Sequence, residues 1–370
     1  MRILFAGGGT GGHLYPALAV AQHLRGVDPH LECLFLGTER GLEREIVPRA
    51  GFDLHTIPGS GFRRVGLPGR LRFFWSLARG LVSALALLRR WRPDVVVATG
   101  GYASLAGGLA AVLLRRPLVV QEQNRIPGFA NRLLGRWARR VYVAFPDTEA
   151  FFEDPSRVRV TGNPLRSEIL HARERSAEPA YDSPVVLVVG GSRGARSIND
   201  AVSQAIPLVA AHLRVHWLWQ TGGGDHARVA ARWAGDPHVR LHAYLHDMAA
   251  AYASASLVVC RSGAMTVSEI TALGRPAILV PFPGAVDDHQ TANAHYVVGA
   301  GAGILVPDAE LSGERLAREI RTLLERPGRL EEMSGCSAAL ARPRAAADIA
   351  EDLGLCVRAG TSGVAYVRAG

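Results

Sequence analysis

Lysine is absent from this 370-residue chain, in which all 42 basic residues are arginine. Base composition accounts for that choice of residue, though not for where the arginines fall. Cysteine is scarce. Cys33, Cys260, Cys336 and Cys356 form no CxxC pair and no framework spacing, so reduced thiols in a cytoplasmic protein are expected rather than a disulfide scaffold. Long apolar runs are missing too. The longest, such as 81–88, stop well short of the roughly 20 residues that cross a bilayer. The N-terminal apolar run breaks into glycines after Ala6, which is not the pattern of a secretory signal. There is no Walker loop, because no GK[ST] occurs, and the glycine run at 7–12 alone is weak evidence for a dinucleotide fold.

What is present is a globular balance, 48% apolar and 20% charged, long enough for two domains of ordinary size. The net charge of +9 is unevenly spread. Residues 1–160 hold 22 Arg against 12 acids, and the window 60–140 alone holds 15 Arg against 2. Residues 161–370 are close to neutral. A basic patch on one domain points to nucleic acid, anionic lipid or a phosphorylated ligand.

Short apolar runs alternate with amphipathic stretches, the signature of βα units around parallel sheets. Strands are expected at 2–6, 31–36, 53–57, 94–98, 118–121, 140–143 and 158–160. After a charged, Pro-containing stretch the pattern restarts, with strands at 185–189, 215–219, 239–243, 257–260, 277–280 and 303–306. Two segments echo each other: RILFAGGGTGG at the start and VVLVVGGSRGA at 185–195 both run a strand into a glycine turn and a helix. Two Rossmann-like α/β domains facing across a cleft fit this better than one long sheet. Residues 1–163 form the first domain, 164–183 a linker, 184–340 the second domain, and 341–370 a C-terminal helix with a loosely ordered tail.

Glycines after a strand expose backbone N–H groups, and the following helix adds its positive end, so such loops bind phosphate. Thr10, Gly11 and Gly12 lie in one such loop, and Gly100, Gly101 and Tyr102 form a second glycine turn in the same domain. His13 falls in the first turn of the helix, where the dipole disfavours imidazolium and suits a general base. The strand at 118–120 runs into Gln121, Glu122, Gln123 and Asn124, a polar cluster at the sheet edge where open α/β folds place ligands. In the second half, residues 190–195 are another phosphate-type loop that includes Ser192. Arg261, Gly263 and Ala264 open a helix in which Glu269 lies about a turn and a half inside, placed for two ribose hydroxyls. Asp287, Asp288, His289, Gln290 and Asn293 follow the strand at 277–280. No DxD triplet occurs, so a metal-chelated sugar nucleotide is not expected and no cofactor is called for.

In order along roughly the first 300 residues stand GGGTGGHLYPALAVA, GTERGLE, GGYAS, QEQN, TGNPLR, GGSRGARSIN, CRSGAMTVSE and DDHQTANA. This set resembles the peptidoglycan N-acetylglucosaminyltransferase family, which converts lipid I to lipid II. The resemblance implies the GT-B architecture, with an N-terminal acceptor domain and a C-terminal domain for UDP-N-acetylglucosamine. It implies an inverting transfer, in which the acceptor's sugar hydroxyl attacks the anomeric carbon as UDP leaves. It also implies residue roles. Glu269 would hold the ribose, the backbone around Leu245 the uracil, Ser192 with Arg166 the donor phosphates, and His289 with Gln290 the donor sugar. Arg261, Gly263 and Ala264 belong to the same donor site. The Thr10 loop and the Gly100 loop would seat the acceptor's pyrophosphate, with Glu122 and Asn124 near the reacting hydroxyl. His13 is the candidate base and Glu122 its rival. Gln121 departs from the family, which usually has His there.

The resemblance also gives the basic window a meaning. Between residues 71 and 92, Leu71, Phe74, Trp75, Ala78, Leu81, Val82, Leu85 and Leu88 recur at helical spacing, flanked by Arg72, Arg79, Arg89 and Arg90. Trp137 and Arg140 belong to a second Arg/Trp cluster. A polyprenyl acceptor requires this domain to touch an anionic membrane, so a peripheral protein on the cytoplasmic face of the bacterial membrane is expected, with cell-wall synthesis proteins as further partners. Other readings are a relative acting on another lipid or UDP sugar, a non-catalytic sensor of a nucleotide sugar, and a nucleic-acid binder. The arginines are interleaved with aliphatics rather than stacking aromatics, so no nucleic-acid partner is expected.

Overall fold

The computed structural model describes residues 1–59, 66–172 and 181–361; of 66–72 and 357–361 it describes the backbone alone. The chain divides into two compact units, Met1–Arg166 with the stretch from Pro343 onward, and Ser167–Arg342. All thirteen expected strands are present, with ends within two residues of expectation. The central strands were legible because parallel strands covered on both faces read as unbroken apolar runs. In the first strand, for example, Ile3, Leu4 and Phe5 are all buried.

The first unit runs β1 (Arg2–Gly7), α1 (Gly11–Val27), β2 (Glu32–Thr38), α2 (Glu43–Arg49), β3 (Asp53–Ile57), α3 (Gly66–Trp91), β4 (Val95–Gly100), α4 (Gly101–Leu113), β5 (Leu118–Glu122), α5 (Phe129–Gly135), β6 (Arg140–Val143) and β7 (Val158–Val160). Its sheet is parallel, in the order β3-β2-β1-β4-β5-β6-β7. Chain order reverses between β1 and β4, which leaves a crevice at their carboxyl ends, the ligand position of open α/β sheets. Separate apolar clusters fill the two faces.

The second unit runs α6 (Ser167–Ala172), β8 (Val185–Val189), α7 (Arg196–Ala210), β9 (His216–Gln220), α8 (His226–Trp233), β10 (Val239–His242), α9 (Met248–Ser254), β11 (Leu257–Cys260), α10 (Ala264–Ala272), β12 (Ala277–Leu279), α11 (His289–Gly299), β13 (Gly303–Leu305), α12 (Gly313–Glu325) and α13 (Arg329–Ala339). The parallel order β10-β9-β8-β11-β12-β13 puts the reversal between β8 and β11.

Two stretches differ from their sequence reading. Ser167–Ala172, inside the expected linker, is helical because Ile169 and Ala172 are buried; residues 173–180 of that stretch lie outside the described residues. The C-terminal segment does not stand apart. Helix α14 (Ala345–Thr361) belongs to the first unit, continues past Arg358 where a loose tail was expected, and buries Ile349 and Leu353 in the cluster that holds Leu14 and Leu18 of α1. Residues 362–370 lie outside the described residues.

A polar clasp completes the α14 contact. The Tyr142 hydroxyl donates to Asp352 at 2.9 Å, and Arg140 pairs with the same carboxylate at 3.4 Å. Burial, before any neighbouring charge, holds the Tyr142 hydroxyl far above its usual pKa, so it remains a donor. Leu353→Ala should destabilise the protein by about 2–5 kcal/mol in chemical denaturation, as a buried leucine does when its cavity cannot collapse. A loss below about 1 kcal/mol would show that α14 is not integral to the first core.

Candidate active site

In the first unit the crevice is built by two glycine-bearing strand ends, those of β1 and β4. After β1 the chain turns through Gly8 and Gly9, both at positive φ (148° and 83°), into α1. Thr10 caps α1 in extended backbone without a side-chain cap bond, and no acidic residue occupies the first turn. The helix therefore begins with uncompensated N–H groups and a positive end. The start of α4 is similar, with Gly100 at φ 113° and Gly101 at φ 82° and no acid in its first turn. Side by side at the sheet reversal, the two helix starts form a seat for an anion.

His13 lies against this second turn. A Cβ added to Gly100 would sit 2.6 Å from its Nδ1, so only glycine leaves room for the ring. Nδ1 is 2.9 Å from the Gln123 side-chain oxygen. Gln123 is buried and its amide nitrogen donates to the carbonyls of Thr99 (2.9 Å) and Gln121 (3.0 Å) and to the Gln121 side-chain oxygen. Gln121 in turn donates to Asn163 Oδ1 at 3.1 Å, and Asn163 Nδ2 donates to the Gln123 carbonyl at 3.0 Å.

The loop before α1 is held from behind by Glu43, which is 1% exposed. One carboxylate oxygen accepts from Gly9 N–H at 2.8 Å; the other accepts from the Thr38 N–H at 2.7 Å and the Thr38 hydroxyl at 2.9 Å. A Cβ on Gly8, Gly37 or Gly41 would collide with this carboxyl group, which explains the glycines of GTERGLE.

The second unit repeats the plan. Gly194, at φ 75°, passes so close to the Thr221 carbonyl at the end of β9 that a Cβ would collide with it. That holds the 190–195 loop, in which Ser192 is exposed. Gln220 spans two edges of the site, donating to Gly191 O at 2.9 Å and accepting from Leu245 N–H at 2.8 Å. Helix α10 opens on Gly263 in extended backbone, with Ala264 first and no acid in its first turn. Glu269, half-buried, accepts from the hydroxyl of buried Tyr252 at 3.1 Å. His289 Nδ1 faces Val286 O at 2.7 Å, and Gln290 Oε1 accepts from Phe282 N–H at 2.9 Å.

Comparison with known proteins follows this geometry. Residues 3–143 match the glycosyltransferase family 28 N-terminal domain, and residues 185–352 match the family 28 C-terminal domain. The chain is a member of glycosyltransferase family 28. It is 44% identical over 356 residues to an enzyme of Anaeromyxobacter sp. (strain Fw109-5), covering 95% of this chain and 92% of that one. It is 46% identical over 355 residues to one of Alkalilimnicola ehrlichii, covering 95% and 97%. Both are named UDP-N-acetylglucosamine--N-acetylmuramyl-(pentapeptide) pyrophosphoryl-undecaprenol N-acetylglucosamine transferase. Among solved structures, Acinetobacter baumannii MurG superposes with a TM-score of 0.77 at 31% identity, covering 96% of this chain and 99% of that chain. The two units are thus those of the GT-B fold. CalG4, the calicheamicin glycosyltransferase, at 19% identity and TM-score 0.69, shares the fold alone.

Within this family 28 framework several expected residues take other work. Tyr102 does not turn its side chain to the seat. Its hydroxyl lies 2.5 Å from Ser76 O and 3.0 Å from Pro58 O, because the ring fills the core beneath α3 and the hydroxyl finds its acceptors there. Glu122 is 1% exposed, and both its oxygens are occupied: by Asn124 N–H (2.8 Å) and its side chain (3.3 Å), and by Gly128 N–H (3.1 Å) and Asn131 Nδ2 (2.8 Å). It holds the 124–128 loop, with Asn124 folded onto it. Arg261 ties Val280 O, Pro281 O, Asp308 and Ser197 together, so its guanidinium braces the loop beside α10. Leu245 has its N–H taken by Gln220. Arg166 closes the first unit, over the ring of Tyr15.

Helix α3 carries two apolar faces where a single stripe was read. Phe73, Leu77, Leu81, Ala84, Leu85 and Leu88 pack inward, while Phe74 (63% exposed), Trp75 (70%), Ala78, Arg79 and Val82 (66%) face solvent. The Arg72 side chain lies outside the described residues. Trp137 is exposed, but Arg140 is turned to Asp352 and away from any surface patch.

Sequence spacing missed Glu43, Gln220, Tyr252, Ser197 and Asp308 as site-building residues. Glu43→Gln should cost about 1–3 kcal/mol in denaturant unfolding, because an amide NH2 would then confront either the Gly9 or the Thr38 donor. Unaltered stability would mean that the loop holds its shape without the carboxylate.

Proposed function

We propose that this chain transfers N-acetylglucosamine from its UDP donor to the sugar hydroxyl of undecaprenyl-pyrophosphate-linked N-acetylmuramyl pentapeptide, the step named for its relatives. The observation that carries the reading is the placement of His13 at the start of α1, beside the start of α4, at the sheet reversal of the first unit. The two helix starts hold the acceptor pyrophosphate through backbone N–H groups, with Thr10, Gly11, Gly12, Gly100 and Gly101 supplying the turns. His13 removes the proton of the attacking hydroxyl; the oxygen forms its bond to the anomeric carbon as the bond to UDP breaks, with inversion.

The donor belongs to the second unit. Glu269, oriented by Tyr252, accepts from the ribose hydroxyls. Uracil recognition at Leu245 falls to the carbonyl, since Gln220 occupies the N–H. The α10 start at Gly263 and Ala264, with the Ser192 loop, takes up the negative charge that develops on the leaving diphosphate. Gln290 has its oxygen committed to Phe282 N–H, which turns its NH2 to the donor sugar beside His289.

The exposed apolar stripe of α3, flanked by arginines, supports attachment to an anionic membrane on its cytoplasmic face, where the lipid acceptor lies. Among the described residues no helix is long and apolar enough to cross a membrane, so the attachment is peripheral.

Transfer of labelled N-acetylglucosamine to a lipid I analogue tests the reading. His13→Ala should lower kcat about 10²–10⁴-fold, and Glu269→Ala should raise KM for the UDP sugar about 10- to 100-fold with little change in kcat. A well-folded wild type inactive on this pair, but active with another lipid or UDP sugar, would reassign the substrates. Phe74→Ala with Trp75→Ala should weaken binding to anionic vesicles by about tenfold or more; undiminished binding would remove α3 from the membrane contact.

A further inference from the structure

The geometry points to Gln123 as the residue that fixes the tautomer of His13. An amide side chain can be turned either way, and so can a neutral imidazole, so a single contact between them settles nothing. Here the choice is forced from the main chain. The Gln123 carbonyl can only accept, so the Asn163 atom at 3.0 Å from it is the NH2 group. Asn163 Oδ1 therefore faces Gln121, and the Gln121 atom at 3.1 Å is its NH2. That leaves the Gln121 side-chain oxygen toward Gln123. The Gln123 nitrogen meets this oxygen and two further fixed acceptors, the carbonyls of Thr99 at 2.9 Å and Gln121 at 3.0 Å. Turning Gln123 over would set its oxygen against three acceptors.

Gln123 consequently presents an oxygen to His13 Nδ1 at 2.9 Å. Nδ1 must carry the ring proton, and Nε2, across the ring, keeps its lone pair. A free neutral imidazole favours the opposite form, with the proton on Nε2, so the bias comes from the site. Gln123 is 1% exposed, so its oxygen is largely withheld from water. Gln121 is essential to the chain of orientations, since it needs one donating and one accepting end. An amide supplies both at fixed positions whatever the pH.

This rests on His13 as the base: Gln123 is a positioning residue that touches no substrate and leaves Nε2 ready to take the hydroxyl proton. The test reads the tautomer directly, apart from catalysis. The full-length protein is labelled with ¹⁵N at its 13 histidines, and His13 is assigned by difference with His13→Asn. Long-range ¹H–¹⁵N spectra above the titration range of the ring should show Nδ1 protonated and Nε2 bare. Gln123→Leu should move the signal toward the Nε2-protonated form and lower kcat about 10- to 100-fold, with both KM values within about threefold of wild type. Gln123→Met, which keeps the length of the side chain without its amide, should move the signal the same way and serves if Gln123→Leu does not fold. An Nε2-protonated ring in the wild type, or a tautomer unmoved in Gln123→Leu, overturns the assignment. A correct tautomer together with a fully active His13→Ala would instead overturn the base reading and leave the tautomer assignment standing.

Discussion

A buried amide must satisfy a donor and an acceptor at once, and leaving either end unmatched costs on the order of 1–3 kcal/mol. At the carboxyl ends of β4 and β5 that constraint is imposed three times, on Gln121, Gln123 and Asn163, all buried within the first unit. Parallel strands that stop at a sheet reversal leave carbonyls such as Thr99 O and Gln121 O without a ladder partner, and the amides close this gap. The same bonds that cap the sheet therefore aim the ring proposed as the base. Stability and orientation come from one set of contacts, and loosening the sheet edge would also free the imidazole.

The second unit meets the same problem with other chemistry. Its strand ends are spanned by Gln220 and by the Arg261–Asp308–Ser197 group, in which a guanidinium collects the carbonyls of Val280 and Pro281. Arg261 is a donor only, and its charge is matched by Asp308. A fixed positive group behind the start of α10 suits the diphosphate site proposed there. A neutral amide chain suits the role proposed for His13. In the first unit the buried carboxylates Glu43 and Glu122 spend their oxygens on uncharged donors, Gly9 and Thr38 for one and Asn124, Gly128 and Asn131 for the other.

Much of the plan was legible from composition and spacing. Strand positions followed from uninterrupted apolar runs, and the glycine loops identified the two sheet reversals, because a backbone at positive φ restricts the residue type locally. What spacing could not carry was the direction of a side chain. Tyr102 stands in a glycine turn, yet its ring goes to the core, since Pro58 O and Ser76 O lie beneath it. Glu122 sits in a polar cluster, but its partners Gly128 and Asn131 are six and nine residues on. Glu43 reaches Gly9 across thirty-four residues, and Asn163 reaches Gln123 across forty. Such pairs exist only once β1, β2, β5 and the segment after β7 are side by side.

Helix α3 shows the same limit in another form. A helix with one apolar stripe is ordinarily a core helix, and the inward residues Leu77, Leu81, Ala84 and Leu88 satisfy that description completely. The residues left over, Phe74, Trp75, Ala78 and Val82, fall on successive turns along the flank of that inward face and stay exposed. Burying a Phe-sized side chain is worth roughly 1.5–3 kcal/mol, so a ring held in water forgoes that much. Two adjacent rings and a valine on one face, beside Arg79, make sense where the surrounding medium is itself apolar with an anionic border. The proposed acceptor brings that medium with it, since its polyprenyl tail stays in the bilayer while its pyrophosphate seeks the helix starts of α1 and α4. The unit that binds the head of such a molecule then has a physical reason to present an apolar face to its tail's surroundings.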